Sequence, residues 1–396
     1  MTNIILLGLT SLFADFSSEI IVPLLPFFIK SLGGAGLAIG LISGVGDAVA
    51  AILKVISGRF SDRTNKFKKI VFGGYAFSAL AKFFFPLAST WQHILAARSV
   101  ERIGKGLRDA PRDAIVSESV DHSKRGSGFG LQRAMDSLGA ILGSVTVLIL
   151  FWKYDYDFRA IFFLAALIAL LALIPILFVH EPASLIKDKP APWSFNLKTL
   201  FPSRINFSPD LRKFIWISTL LYLGNFSFMF LILKAQQSFG HLNFKDSVAL
   251  TLILYILFNV FDTIFAQPAG KLSDRIGRKK VLTIGYVLLV ATFAGFFLAK
   301  SFLALLFIFP LYGLFKAFID ASQRSFVSDL SEVENRSTAL GAFEASTGLA
   351  LIPAGIIAGF LWNANPNFTF IYGLAVSLSA LVLLQTFIKE PSRQNV

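Results

Sequence analysis

Apolar stretches long enough to cross a bilayer recur along almost the whole chain, and they constrain its fold more than any single motif does. They lie at residues 1–30, 38–57, 70–88, 91–117, 127–151, 159–180, 213–236, 246–269, 281–299, 302–327, 337–361 and 368–388. A helix needs about 20 apolar residues to cross the ~30 Å hydrocarbon layer. Twelve such runs in 396 residues leave room for little else, which excludes a soluble enzyme held by one anchor. A content of 55% hydrophobic and only 15% charged residues agrees. The first run lacks a basic leader and is interrupted by Asp15 and Glu19, which argues against a cleaved secretory signal. The predicted class is an all-α membrane protein.

The net charge of +13 raises the question of nucleic acid, but the lysines and arginines cluster between the apolar runs. With a cytoplasmic N-terminus, the inner loops hold Arg59, Arg63, Lys66, Lys68 and Lys69, then Lys187, Lys189, Lys198 and Arg204, then Lys271 through Lys280. The outer loops hold little beyond Lys153, Arg159 and Lys245. This bias follows the positive-inside rule and places both termini in the cytoplasm. The longest break, from Glu181 to Lys213, carries Pro182, Pro190, Pro192, Pro202 and Trp193, and reads as a linker with one short interfacial helix. With no cysteine, there is no disulfide, thiolate metal site or cysteine nucleophile. His93, His122, His180 and His241 are too scattered for a metal cluster.

The chain also repeats itself. GRFSDRTNKFKK from Gly58 and GKLSDRIGRKK from Gly270 stand 212 positions apart, each closing an even-numbered span. Asp15 with Asn225, Arg112 with Arg324, Gly130 with Gly341, and Glu181 with Glu390 keep offsets of 209 to 212. Such a register argues for a duplicated six-helix bundle with a site between the copies near the bilayer midplane. Gly-x-x-x-Asp-Arg-x-Gly-Arg-Lys-Lys, from Gly270 to Lys280, resembles the signature loop between spans 2 and 3, and 8 and 9, of the major facilitator superfamily. The first copy keeps Gly58, Asp62 and Arg63 but has Asn65 for the glycine and Phe67 as an extra residue. The resemblance implies a major facilitator fold: twelve transmembrane helices in two pseudo-symmetric bundles, residues 1–180 and 213–396, joined by a cytoplasmic linker, 181–212. It is similar to bacterial or archaeal drug and metabolite exporters. It also implies that Asp62-Arg63, Asp274-Arg275 and Arg278 form a gating latch on the cytoplasmic side, with Gly58 and Gly270 permitting close helix approach.

Ionisable groups within spans are costly and therefore functional candidates. Asp15 and Glu19 lie four apart on one helical face, and two such carboxylates suit a group that takes up and releases a proton. Asp47 and Lys54 share a face of span 2, either as a neutralising pair or as cavity groups. Span 4 carries Arg98, Glu101, Arg102, Lys105, Arg108, Asp109, Arg112 and Asp113, too polar to face lipid. It resembles the superfamily's second motif, whose arginine, here Arg98 or Arg102, assists substrate or proton binding. Pro111 is expected to kink or end the helix and leave Arg112 and Asp113 near the cytoplasmic mouth. Gly104-Lys105-Gly106 lacks phosphate-loop spacing, so ATP drive is unsupported.

In span 5, Arg133 and Asp136 share a face, followed by Gly139 and Gly143. With Gly130, these glycines resemble the third motif, associated with exporting antiporters. Ser144 stands where that motif has proline, and close packing of small residues is the competing reading. The repeat sets Glu344 opposite Arg133, a candidate charge switch. Lys234, Asp262, Lys316, Asp320 and Arg324 are cavity candidates or interhelical pairs.

The expected function is secondary transport by alternating access: proton-coupled export of a small hydrophobic or amphiphilic compound through Asp15, Glu19, Arg102, Arg108, Arg133, Asp136 and Glu344. Uptake or exchange of an organic anion is the alternative, since the arginines can pair with carboxylate or phosphate. A sensor on a transporter scaffold is the reading from another class. An enzyme is not expected, for want of a nucleophile, base or metal constellation. No cofactor is expected, the energy coming from a proton gradient. The expected partners are the lipid bilayer, a small-molecule substrate and protons, with no nucleic acid, for a monomer in the cell membrane.

Overall fold

Backbone groups in hydrocarbon have no water to bond, so an apolar run of this length satisfies its own amides as helix. The computed structural model describes residues 2–120, 125–182, 185, 207–299, 301–332 and 335–390, with no strand among them. The helices are α1 (Thr2–Ile21), α2 (Gly36–Thr64), α3 (Phe67–Lys82), α4 (Trp91–Glu118), α5 (Arg125–Leu148) and α6 (Phe158–Leu171), followed by α7 (Pro209–Gly224), α8 (Phe244–Ile276), α9 (Arg278–Leu298), α10 (Phe302–Asp329), α11 (Arg336–Ala364) and α12 (Pro366–Phe387). Short segments prolong four of them: Leu25–Ser31 after α1, Ile149–Lys153 after α5, Leu173–Leu177 after α6 and Met229–Ser238 after α7. Each falls on an apolar run of the sequence. Among the described residues, ten passes are long and apolar enough to cross a membrane. The other two are α3, at 16 residues, and α4, whose charges break any apolar window. Packed against both α2 and α3, α4 keeps Arg98, Glu101 and Arg108 buried away from lipid. Most of the expected linker, residues 183–184 and 186–206, and His122 lie outside the described residues.

The repeat in the sequence is a repeat in space. Helix α1 packs on α5 as α7 packs on α11, α2 on α4 as α8 on α10, and α3 on α4 as α9 on α10. The halves meet through α2 with α11 and α5 with α8, pairs that exchange under the same pseudo-twofold. Even the repeat endings serve one purpose: Glu181 accepts from the Lys68 amide at 2.7 Å, and Glu390 from the Lys279 amide at 3.3 Å. Each carboxylate thus caps the helix start that follows a loop motif.

Both loop motifs turn through a residue of positive φ, but differently: Asn65, at φ 56° and ψ 26°, is in the left-handed helical region, and Gly277, at φ 103° and ψ 147°, lies outside it. Asparagine tolerates that region better than other side chains, which explains how the first copy dispenses with glycine. Asn65→Val is therefore expected to lower stability by about 1–2 kcal/mol. Thermal unfolding of the purified protein in detergent reads the difference.

On the face opposite the loop motifs the halves are sealed. The Gly36 amide donates to Asn363 at 2.7 Å, the Trp152 indole to Asp246 at 3.0 Å, and Lys245 pairs with Asp155 at 2.8 Å. Phe244 fills the same end between Phe27 and Phe151. Below this seal, a carbon on Gly40 or Gly355 would overlap the other's carbonyl, so α2 and α11 touch backbone to backbone.

Candidate functional site

Among the described residues, two cavities between the halves hold the candidate charges. The deeper, about 310 Å³, takes its charged wall from α1 and α4 with Asp15, Glu19, Arg98, Glu101, Arg102 and Lys105. The facing wall, from α7, α8 and α10, is aromatic and amide-bearing, with Asn225, Asn259 and Lys316 among the rings. The second, about 280 Å³, is lined by Arg133, Tyr222, Asp320, Arg324 and Glu344 and shares Tyr222 and Asp320 with the first. Arg133, Asp320 and Arg324 expose 49%, 46% and 54% of their side chains although they sit between helices. With the far end sealed, this places a wet vestibule on the side of the loop motifs.

The sequence run 213–236 reads as one helix, but α7 unwinds at Asn225–Ser227 beside the deeper cavity. Tyr372 donates to the Leu223 carbonyl at 2.9 Å, which satisfies a backbone group the break releases, and Tyr312 donates to the Asn225 side chain at 3.3 Å. Broken helices at the midplane are tolerated where they line a cavity.

Glu19 accepts from the Tyr255 hydroxyl at 2.8 Å, a bond from α1 to α8 and so from one half to the other. Gly143 lies against the Glu19 Cβ position, 2.8 Å from where a side chain would begin, so this motif glycine seats the carboxylate. Gly139 likewise meets Leu12 of α1, whereas Gly130 has open space around it. Arg102 pairs with Asp47 at 2.7 Å, which makes Asp47 the partner of Arg102 instead of Lys54. Arg98 pairs with Glu101 at 2.8 Å with both side chains almost wholly buried. Removing one member of such a pair strands the other charge. Glu101→Gln is expected to lower stability by about 3–5 kcal/mol, read by thermal unfolding against Arg98→Met/Glu101→Gln, which costs less.

Several expectations change in place. Arg108 lies outside both cavities, stacked 4.0 Å over the Tyr75 ring between α3 and α4. Asp136 also lies outside them, near Ser11 and Arg112. The expected Arg133–Glu344 exchange gives way to other partners: Arg133 sits 3.6 Å from Asp320 and 3.9 Å from Asp262, and Glu344 is 2.7 Å from Arg324. The pseudo-twofold explains this. It maps α5 onto α11 across the vestibule, while the neighbour of α5 at the interface is α8. Pro111 does not end α4, which runs on to Glu118 and brings Arg112 to Ser11 of α1 at 3.1 Å. One missing amide costs a packed helix a single bond.

In the loop motifs, Asp62 and Asp274 are exposed in the last turns of α2 and α8, with Arg63 and Arg275 beside them. Arg278 ties the second loop to Ser325 and Asp329 of α10. Gly58 faces Ala110 at 3.2 Å, but nothing approaches Gly270 within 4 Å, so close helix approach holds for the first glycine alone. The sequence reading passed over Lys82. Buried in α3, it donates to Ser17 at 2.8 Å and Ser18 at 2.9 Å of α1, and a lone lysine inside span 3 was the available signal. Lys234, by contrast, binds Asn367 at 2.7 Å near the sealed end.

The profile of the Major Facilitator Superfamily matches residues 7–261 and 214–396. The chain belongs to the Major Facilitator Superfamily. Its relatives include an uncharacterised MFS-type transporter of Methanocaldococcus jannaschii, 43% identical over 96% of this chain and 94% of that one. A multidrug resistance protein, MdtH, of Photorhabdus laumondii is 31% identical over 39% of this chain and 38% of its own. Among solved structures, the nucleoside transporter NupG superposes with a TM-score of 0.76 at 17% identity, covering 98% of each chain. The human organic anion transporter TETRAN gives 0.70 at 19% identity, covering 97% and 99%. As a member of this superfamily, the protein is a multi-pass membrane transporter, and its family is one of transporters, not enzymes.

Proposed function

We propose that this superfamily member exports a small amphiphilic organic compound in exchange for protons, by alternating access, from the cytoplasmic membrane. The carrying observation is the Glu19–Tyr255 bond, which makes a carboxylate in the substrate cavity part of the contact between the halves. A proton on Glu19 weakens that bond, so protonation and the choice of open side are linked. The basic loops beside both motifs support a cytoplasmic vestibule side, with both termini on that side. The structure is then loaded from within, which suits export. Partial likeness to multidrug resistance proteins supports the same direction. Eight charged side chains line the deeper cavity, so the compound is polar at one end at least. Exchange of an organic anion is the second reading, favoured by Arg102, Lys105 and Lys316 in that lining.

Substrate-induced proton movement in proteoliposomes carrying a pH-sensitive dye tests the proposal. Export coupled to protons acidifies the compartment into which protons run as compound leaves. Compound flux indifferent to a pH gradient leaves a facilitator and overturns the coupling.

A further inference from the structure

Most charges around the deeper cavity already have partners. Arg98 holds Glu101, Arg102 holds Asp47, Lys316 holds Asp262 at 3.0 Å, Asp320 lies by Arg133, and Glu19 takes the Tyr255 hydroxyl. Asp15 on α1 and Lys105 on α4 line the same cavity, and among the described residues neither makes an ion pair within 4.0 Å or a side-chain hydrogen bond, not even to the other. A carboxylate and an ammonium that face one small cavity without a protein partner are left free to pair with a ligand. The site therefore offers one negative and one positive anchor, set apart from each other.

The facing wall specifies the rest. Phe228, Tyr255, Phe258, Tyr312 and Phe315 form a ladder in which successive ring centroids stand 5.4 to 5.5 Å apart. Such a surface takes a flat ring by stacking and edge contact. A volume of about 310 Å³ admits a compact solute and not a long lipophilic chain.

We infer that the cavity takes a small aromatic zwitterion, its cationic group on Asp15, its anionic group on Lys105 and its ring against the Tyr255–Phe315 wall. This rests on the reading of the deeper cavity as the transport site. A cation alone leaves Lys105 unanswered, and an anion alone leaves Asp15 so.

Ligand-induced thermal stabilisation of the purified full-length protein in detergent tests it. The probes are two zwitterions of different charge separation, phenylalanine and 4-(aminomethyl)benzoate, with benzylamine, phenylacetate and the ringless zwitterion β-alanine. At least one aromatic zwitterion is expected to stabilise the wild type at concentrations about ten- to a hundred-fold below those needed for the singly charged or ringless probes, the span set by one charged hydrogen bond. Asp15→Asn is expected to bind that zwitterion no better than phenylacetate, and Lys105→Gln no better than benzylamine. Benzylamine or phenylacetate binding the wild type as tightly as the zwitterions overturns the inference, as does stabilisation by no zwitterion. Proteoliposome flux separates the two proposals. A singly charged probe that moves with protons leaves coupled transport standing and removes the zwitterion, whereas zwitterion counterflow without proton movement does the reverse.

Discussion

Replacing Glu19 by glutamine is expected to abolish substrate-induced proton movement in proteoliposomes while substrate counterflow continues. The expectation follows from where the carboxylate stands. Glu19 lines the deeper cavity and reaches Tyr255 of the other half at 2.8 Å. A hydrogen bond to an ionised carboxylate contributes about 1.5–3 kcal/mol, so ionisation favours the arrangement in which α1 and α8 are held together. A proton on the carboxylate weakens the bond and releases the halves to part on the sealed side. Glutamine is neutral in both states, so it carries no proton across and confers no dependence on one. Counterflow survives because exchange needs only that the loaded carrier reorient. Tyr255→Phe keeps the carboxylate and loses the bond, so proton movement is expected to persist with a weakened response to the gradient. Proton movement at wild-type level in Glu19→Gln would place the coupling group elsewhere.

What the sequence made legible were properties of single helices and of the duplication. Span length, the Asp15/Glu19 face and the polar stripe of α4 follow from apolar run length and a 3.6-residue period, which one chain segment carries by itself. Partner choice is not local in that sense. Arg133 was readable as an intramembrane cation, but its neighbours Asp262 and Asp320 come from α8 and α10, more than a hundred residues away, and only the docking of the halves selects them over Glu344. The break in α7 escaped for a related reason: Asn225-Phe226-Ser227 has no proline, and it is the tertiary hydroxyl of Tyr372, on the Leu223 carbonyl, that makes its unwinding tolerable. Arg108 illustrates the limit of charge as a signal. It was expected in the proton and substrate site, yet it stacks on an aromatic ring of α3 outside either cavity. Lys82 was within reach of the same rule and was hidden only by the apolar run around it.

The second large effect is expected at the seam of α2 and α11. Gly40 and Gly355 stand so close that a side-chain carbon on either meets the other's carbonyl, and Gly36 repeats the contact with Gly359 nearer the sealed end. Leucine at position 40 has no room while that seam is shut. The overlap is relieved by parting the halves on the far side, which is the movement alternating access requires. Overpacking costs about 1–3 kcal/mol, and a bias of that size shifts a two-state equilibrium about 5- to 150-fold. The chain has no cysteine, so a single cysteine at Ser18, in the deeper cavity, reports access without background. Labelling of Ser18→Cys by an impermeant maleimide from the far side is expected to rise by that factor in Gly40→Leu, with counterflow falling in step. Gly40→Ala should give a smaller rise, and Gly130→Ala none, since open space surrounds that glycine. A folded Gly40→Leu protein with unchanged labelling would mean that closure on the far side does not depend on this seam, and would shift the burden to Phe244 and the Lys245–Asp155 pair.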